Sequence, residues 1–512
     1  MRLFTTVAGL RSYLKSQRDN KTVGLVPTMG ALHIGHQSLI ERARVETEIV
    51  VVSIFVNPLQ FTPTEDLQKY PRQLQQDSEL CEKLGVDVIF APSPEVMGMG
   101  ENSNTSSSSQ TTTVIPPATL TSGLCGQFRQ GHFQGVATIV TKLFNIVNPD
   151  QAYFGEKDAQ QLAIIRRIVE DLNIPVEIRG CPIIREPSGL ACSSRNQYLT
   201  SEQKEQAAVL YRSLQWAKQA FIQGEIATEP LIQIVKQELA SVPEIKIQYV
   251  ELVHPNSLTP LLSIDESGLL AIACYLGATR LIDNIILRNR KPIIAIDGPA
   301  GAGKSTVTRR VAQQLGLMYL DTGAMYRAIT WLVLNSNINL DDEAAIAELV
   351  SQVSLELTPQ QIKINGQDVT EAIRTLQVTA SVSAISAQGA VRRELVKQQQ
   401  GYGQKGGVVA EGRDIGTHVF PHAELKIFLT ASVQERAKRR LQDLIHAGEK
   451  QITITQLEQD IQLRDYRDSH RQIAPLQKAA DAIEIITDGL TIEDVTAKIV
   501  SLYQEAINPK QF

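Results

Sequence analysis

The sequence has no CxxC pair, no apolar run long enough to span a bilayer and no excess of positive charge, and each absence removes a class of protein. Its five cysteines, Cys81, Cys125, Cys181, Cys192 and Cys274, are odd in number and scattered. That spacing argues against a disulfide framework or a zinc site and fits a reducing cytoplasm. The most apolar stretch, Ile49 to Val56, is far shorter than the roughly 20 residues of a membrane-spanning helix; it reads as a buried parallel strand. Met1 to Asn20 carries Arg2, Arg11, Lys15 and Arg18 without the apolar core of a signal peptide, so no secretory leader is expected there. A net charge of −5 and a pI near 6.0 give no basic field, so neither nucleic acid nor membrane is an expected partner, and phosphate binding has to come from local sites.

What is present is an ordinary globular composition, 43% hydrophobic and 21% charged over 512 residues, too long for one core. The first half alternates strand and helix patterns: strand Thr22 to Met29, helix His36 to Glu46, strand Ile49 to Val56, helix Leu67 to Lys83, strand Val86 to Phe90. That order predicts a parallel sheet covered by helices. The polar tract Glu101 to Thr113 reads as a flexible loop insertion. Helix Gly135 to Val147, strand Gln151 to Phe154 and helix Ala159 to Leu172 follow. After Ser201, two helical and two strand-like segments (Lys246 to Val253 and Leu269 to Cys274) suggest a smaller lobe. A break is expected between Asp283 and Lys291, where Arg288-Asn289-Arg290-Lys291 ends in Pro292. A second α/β pattern then begins, and Asn365-Gly366 within it signals a hairpin. No internal repeat is evident.

Gly298-Pro299-Ala300-Gly301-Ala302-Gly303-Lys304-Ser305-Thr306 contains GxxxxGK[ST] between an apolar strand and a helix, the context a P-loop requires. Glycines let backbone N–H groups curl round phosphate oxygens, the helix start adds positive potential, Lys304 reaches the β- and γ-phosphates, and the Ser305 hydroxyl can ligate Mg²⁺. The motif specifies a nucleoside triphosphate and leaves the acceptor open. Asp321 to Arg327, Glu411 to Asp414 and Arg464 to Arg471 supply carboxylates, a hydroxyl and arginines suited to a second phosphorylated ligand. Taken alone, the last cluster reads rather as a solvated, salt-bridged helix face. In the first half, Pro27 to His36 places His33 and His36 in an HxGH quartet between a strand and a helix. Imidazoles there can donate to a phosphate under attack, and Gly35 admits the nucleotide. HxGH occurs in several adenylylating families, so it does not select among them.

Longer blocks do. IDGPAGAGKST, YLDTGAMYRAIT, VTEAIRT, VVAEGRDIGTHVFPHAELKIFLTAS and RDYRDSHRQIAPLQKAADAI make residues from about Lys291 onward resemble the bacterial cytidylate kinases. The resemblance implies transfer from ATP to CMP or dCMP, with CMP held by Thr322, Arg327, Ser383, Arg392, Arg413, Asp414, Arg464, Asp468 and Arg471, part of them on a closing lid. PTMGALHIGH, SIFVNPLQF, EDLQKYPR, GLCGQFRQGHFQGVATIV, KLFNIVNPDQAYFGEKDAQQL and GLACSSRNQYL make the first half resemble the pantoate–β-alanine ligases. That implies adenylation of pantoate followed by displacement of AMP by β-alanine. The roles implied are transition-state stabilisation by His33 and His36 in the ATP-binding run Met29, Gly30, Ala31, Leu32, His33, Ile34, Gly35, His36. Gly155, Glu156, Lys157 and Asp158 would hold phosphate and Mg²⁺-linked groups. Gln60 and Gln161 would bind pantoate, Asn57 and Tyr70 would line its pocket, and Ser193, Ser194 and Arg195 would grip the triphosphate with Ile184 and Cys192 nearby. Asn57 before Pro58 could equally be a turn residue, and Tyr70 before Pro71 a packing residue. Gln130, Ser188 and Cys192 stand where this family usually has Pro, Asp and Met, which puts local loop shape and affinity in question.

The expectation is therefore an α/β protein. A Rossmann-like nucleotidyltransferase-type domain (about 1–182) with a smaller α+β lobe (183–285) precedes a linker (286–291) and a P-loop nucleoside-monophosphate-kinase domain (292–512). A homodimer through the first half is implied. The alternatives are one catalytic half with a nucleotide-binding regulator, a different nucleotidylyltransferase in the first half, or a fusion in which one half only sets assembly.

Overall fold

Two all-parallel sheets dominate the computed structural model, which describes residues 1–19, 21–61, 67, 70–99, 112–358, 361–446, 453–470 and 474–507. The chain divides into two units, Met1–Asn289 and Arg290–Phe512.

The first unit opens with strands β1 (Arg2–Phe4), β2 (Val23–Thr28), β3 (Ile49–Ile54), β4 (Val88–Phe90), β5 (Gln151–Gly155) and β6 (Glu177–Cys181), ordered β1-β4-β3-β2-β5-β6. All the pairings are parallel. Alternate residues face opposite sides: Leu25, Val51, Phe90 and Phe154 join one core, Val26, Val52, Ile89 and Tyr153 the other. The chain winds outward from β2 through β3 and β4, then restarts at β5 on the other side of β2. The carboxyl ends of β2 and β5 therefore flank the crevice where open α/β sheets bind ligands. A second lobe follows, with helices Ser201–Ala207, Val209–Ile222 and Thr228–Leu239 and an antiparallel sheet of β7 (Ile245–Val253), β8 (Ser267–Leu276) and β9 (Thr279–Arg288). β8 is buried on both faces. Leu269, Ala271 and Ala273 pack against the nucleotide lobe, while Leu270, Ile272 and Cys274 pack into the lobe's own core.

The second unit contains β10 (Ile294–Asp297), β11 (Met318–Asp321), β12 (Leu355–Leu357), β13 (Ile362–Ile364), β14 (Gln367–Asp368), β15 (Val408–Gly412), β16 (Leu425–Thr430) and β17 (Ile483–Ile486). The main sheet runs β11-β15-β10-β16-β17, with β12-β13-β14 as a small antiparallel sheet. Asn365 and Gly366, at φ 51° and 80°, turn β13 into β14 as the two left-handed residues of such a hairpin must.

Three sequence expectations change. The helix expected at Leu67 begins at Leu74, because Pro71 pushes the residue before it out of the helical region. The second lobe holds three helices and three strands, not two of each. β9 continues to Arg288, so residues 286–288 of the stretch read as linker belong to a strand, with Leu287 buried in the lobe core. Of the tract Glu101 to Thr113, residues 101–111 lie outside the described residues.

Candidate active sites

In the first unit the chain leaves β2 at Thr28 and turns sharply, with Gly30 at φ 80° and Ala31 at φ 51°. The turn is held by a residue the sequence did not single out. Asp77, 1% exposed on the helix Leu74–Lys83, accepts the Ala31 N–H at 2.9 Å and the Leu32 N–H at 2.8 Å. The helix Ile34–Glu46 then starts with a capping box built from two histidines. His33 Nδ1 accepts from Gly35 N (3.1 Å), and His36 Nδ1 accepts from His33 N (3.4 Å). With both Nδ1 atoms acting as acceptors, each neutral ring carries its proton on Nε2. The rings lie 4.1 Å apart. Burial, then Lys157, pushes His33 down to about 4; burial, then His33 and Lys157, pushes His36 down to about 3. Both are uncharged donors at neutral pH. A Cβ at Gly35 would meet the His33 ring at 2.9 Å, so any side chain there would push that ring out of its tilted contact with His36.

Gly155 ends β5, and Glu156–Asp158 form a 3-10 turn leading into the helix Ala159–Asp171. Lys157, Asp158 and Gln161 line a cleft with Ser193 and Arg195. Met29 and Ile34 flank the turn and helix start. Cys192 N donates to Ile184 O at 2.9 Å, and the Cys192 Cβ would lie 3.7 Å from a Cβ at Gly35. This brings the Ser193–Arg195 loop beside the histidines. Tyr70 hydrogen-bonds Ser194, and burial raises its hydroxyl above the usual tyrosine value. Asn57 behaves as the turn residue: Oδ1 accepts Leu59 N (3.1 Å) and Nδ2 donates to Gly135 O (3.1 Å). The Gln60 carbonyl is gripped by His132 Nδ1 (2.8 Å) and Arg129 Nη2 (3.3 Å). Arg129 and His132 also line the cleft; the FRQGHF block was their signal. Of the departures, Gln130 is exposed, while Ser188 Oγ accepts Leu190 N at 3.4 Å as an aspartate there could.

In the second unit the P-loop joins β10 to the helix Lys304–Leu315. Gly298 must be glycine, since a Cβ would sit 1.9 Å from Leu429 O; Gly301 and Gly303 adopt φ 78° and 85°. Lys304 Nζ donates to the Gly298 and Pro299 carbonyls, both at 2.7 Å. Burial, then Arg413, pulls its ammonium well below the usual lysine range. Ser305 Oγ donates to Glu411 Oε2 (2.9 Å) and Tyr319 OH to Glu411 Oε1. Burial, then Asp321, raises the Glu411 carboxyl. Thr322 Oγ1 donates to Glu411 O at 2.7 Å. Asp297 accepts Ile415 N and Gly416 N, each at 2.7 Å, fixing the turn that displays Arg413 and Asp414; burial raises it to about 6.

The arginines converge. Arg413 donates to Asp468 (2.8 Å) and Gly298 O (3.0 Å), Arg392 pairs with buried Asp414, and Arg327 lies 3.4 Å from Asp321. Burial, then Arg413, with Arg440 and Arg327 adding, lowers Arg464. The sequence reading missed Arg436. It grips Asp465 with two bonds (2.9 and 2.6 Å) and reaches P-loop Ala300 O at 3.2 Å. Ser383 stands exposed on the helix Leu376–Ala387. Arg471 lies outside the described residues.

Comparison with known proteins accounts for both units. The family model for pantoate-beta-alanine ligase matches residues 2–286, and that for cytidylate kinase matches residues 294–505. A bifunctional pantoate ligase/cytidylate kinase of Trichormus variabilis is 60% identical over 99% of this chain and 100% of its own. One of Trichodesmium erythraeum is 59% identical over 98% of each. The crystal structure of pantothenate synthetase from Thermus thermophilus is 44% identical, covers 56% of this chain and 99% of its own, and superposes with a TM-score of 0.51. Two switch-point clefts, each matched by its own family over its whole unit and by relatives of the same double composition, leave one conclusion: the chain belongs to the family of bifunctional pantoate ligase/cytidylate kinases.

Proposed function

We propose that the two clefts work as separate ATP-dependent active sites, the first joining pantoate to β-alanine and the second phosphorylating CMP or dCMP. The observation that carries the reading is the convergence at each sheet's switch point: His33, His36 and Lys157 in one unit, and Lys304 with Arg413 and Arg464 in the other.

In the first cleft a pantoate carboxylate oxygen attacks the ATP α-phosphorus, and pyrophosphate leaves. The β-alanine amine then attacks the acyl carbon of the adenylate, AMP leaves, and the amide of pantothenate remains. The Nε2–H groups of His33 and His36 donate to α-phosphate oxygens as charge builds, without a proton changing hands. Lys157 neutralises phosphate, Ser193, Ser194 and Arg195 hold the triphosphate, and Gln60 and Gln161 hold pantoate beside Tyr70. Asn57 acts through the turn that carries Gln60. In the second cleft a CMP phosphate oxygen attacks the ATP γ-phosphorus and ADP leaves. Lys304 and the P-loop N–H groups hold the donor. Thr322, Arg327, Ser383, Arg392, Arg413, Asp414, Arg464, Asp468 and Arg471 form the acceptor side, where positioning and charge stabilisation do the chemistry.

The reading includes Mg²⁺ at both sites. Ser305 Oγ and Glu411 Oε2, 2.9 Å apart, are the hard oxygen donors that Mg²⁺ takes together with phosphate oxygens, and Asp158 offers one such donor beside Lys157. The ion's contribution is neutralisation of phosphate charge. A cytoplasmic location belongs to the same reading and is favoured by five buried free cysteines, as does a homodimer through the first unit.

The test is product analysis on the full chain. ATP with pantoate and β-alanine is expected to yield AMP and pantothenate, and ATP with CMP to yield ADP and CDP. If either pair of products failed to form, the corresponding cleft would have to be reread as a binding or assembly module.

A further inference from the structure

Two adjacent residues of β9, Asp283 and Asn284, hold two loops that come from distant parts of the chain. Asp283, 2% exposed, and Asn284, 7% exposed, sit on the strand of the second lobe that pairs with β8 at Ile272 and Ala271. Neighbouring side chains on a strand leave on opposite faces, and here each meets a different loop.

Asn284 Nδ2 donates to the carbonyls of Glu156 and Lys157, both at 3.0 Å. One amide thus fixes two successive peptide planes of the 3-10 turn that carries Lys157 and Asp158. Asp283 takes Arg185 in a two-pronged grip, 2.6 and 3.0 Å, and also accepts Asn284 N at 2.8 Å. Arg185 in turn lies 4.0 Å over the Tyr211 ring and donates to Gly189 O at 3.0 Å. It bridges Ala191 across a short antiparallel turn, closed by Cys192 N to Ile184 O (2.9 Å) and Glu186 N to Leu190 O (2.8 Å). Ser193, Ser194 and Arg195 follow directly on that turn.

We infer that Asp283 and Asn284 are positioning residues for the adenylation step, registering the Lys157–Asp158 turn and the Ser193–Arg195 loop against each other from one rigid strand. The inference rests on the phosphate-holding role proposed for those two loops. Both residues also line the cleft, and the role inferred for them runs through the two loops they hold. Their effect comes from geometry, since groups that converge on one phosphate chain from separate loops work only if the loops share a reference point. The second lobe therefore supplies alignment as well as cover.

The experiment uses the full chain and pantoate-dependent exchange of labelled pyrophosphate into ATP without β-alanine, which reads adenylation alone. Asn284→Ala removes the amide. Asn284→Asp keeps the shape and replaces the donating NH₂ with an acceptor. Each is expected to lower the exchange kcat by about 10- to 100-fold with the KM for pantoate within about 2-fold, at a temperature where Trp216 fluorescence, followed in a Trp331→Phe background, reports a folded first unit. A merely structural residue would shift the melting temperature and leave kcat of the folded fraction untouched, and that outcome would overturn the inference. If both variants fail to fold, Arg185→Lys, which keeps the charge and loses the two-pronged grip, carries the same readouts and the same expectations. Lys157→Ala and Arg195→Ala separate the two levels of argument. If they abolish exchange while the Asn284 and Arg185 variants run at the parent rate, the inference fails and the site reading stands; if they too exchange normally, the site reading itself fails.

Discussion

In both units a buried aspartate accepts two consecutive main-chain N–H groups of a loop at the candidate site. Asp77 holds Ala31 and Leu32 before the histidine pair, and Asp297 holds Ile415 and Gly416 after Arg413 and Asp414. The shared device solves a shared problem. A loop at the end of a parallel strand has unpaired donors, and a carboxylate beneath it satisfies two at once while fixing the turn. What the loops then present differs. The first unit offers two uncharged imidazoles with Lys157 nearby, the second a crowd of guanidiniums in which burial, then Arg413, lowers Arg464. On the function proposed above, the first would address a single phosphorus with directed N–H bonds, and the second would surround a transferring phosphoryl group and an acceptor phosphate with charge.

The widest break between the two is expected from removing one donor in each. Lys304→Ala should lower CMP phosphorylation by on the order of 10³-fold, and His36→Ala should lower pantothenate formation by about 10²- to 10³-fold, each leaving the other product at its parent rate. Loss of both products from a folded variant would sink the idea of separate sites.

The shared clamp gives the next effect. Asp77→Asn and Asp297→Asn turn one accepting oxygen into an NH₂ facing a backbone N–H, a change that costs about 1–3 kcal/mol at a buried position. Each should lower kcat/KM of its own unit about 10- to 100-fold. Equal kinetics in variant and parent would show that the loops hold their shape without the carboxylate.

These clamps mark the limit of what the sequence reveals. The P-loop and the HxGH quartet are contiguous strings whose chemistry is local, and their strand-turn-helix settings were legible. Asp77 reaches its loop across 46 positions, Asp297 across 118 and Asn284 across 128. No spacing rule connects such pairs before the sheet order is known. β9 was read partly as linker for a related reason: its basic end looked like a chain break, and only pairing with β8 makes it a strand. Asn57 was open between turn and pocket, and the two backbone bonds of its amide show the turn role.

Acid should separate the units in opposite directions. His33 and His36 titrate near 4 and 3 in the fold, against 6.5 when unfolded. The unfolded chain therefore binds more protons between these values, and their contribution to stability, full above pH 6.5, is lost as pH falls toward 4 and 3. Asp297 titrates near 6 in the fold against 3.8 unfolded. Here the folded state binds the extra proton, so this contribution is present at low pH and is lost as pH rises through 6. The chain has two tryptophans, Trp216 in the first unit and Trp331 in the second, so single-tryptophan variants can follow each melt. Lowering pH from 7 to 5 should destabilise the first unit more than the second, and replacing both histidines with Gln should flatten that dependence. An unchanged slope in the double variant would remove the histidines as its cause.

The smallest effect compares two glycines in surface turns. Gly189 (φ 93°) and Gly366 (φ 80°) both occupy the left-handed region, so alanine at either costs about 1–2 kcal/mol of backbone strain. The surroundings differ. A Cβ at Gly366 meets nothing within 4 Å, whereas one at Gly189 would lie 2.6 Å from Tyr211 Cδ1, the ring beneath Arg185. Gly366→Ala should therefore lower the melting temperature of the second unit by a few degrees and leave both activities at parent values. Gly189→Ala should in addition slow pyrophosphate exchange, because displacing Tyr211 disturbs the Arg185–Asp283 grip behind the Ser193–Arg195 loop. Strain alone moves stability; strain transmitted through an aromatic stack to a phosphate-holding loop moves catalysis as well. If the two alanine variants proved indistinguishable in exchange rate, the second lobe would be shown to tolerate play at Tyr211 without misaligning the loop.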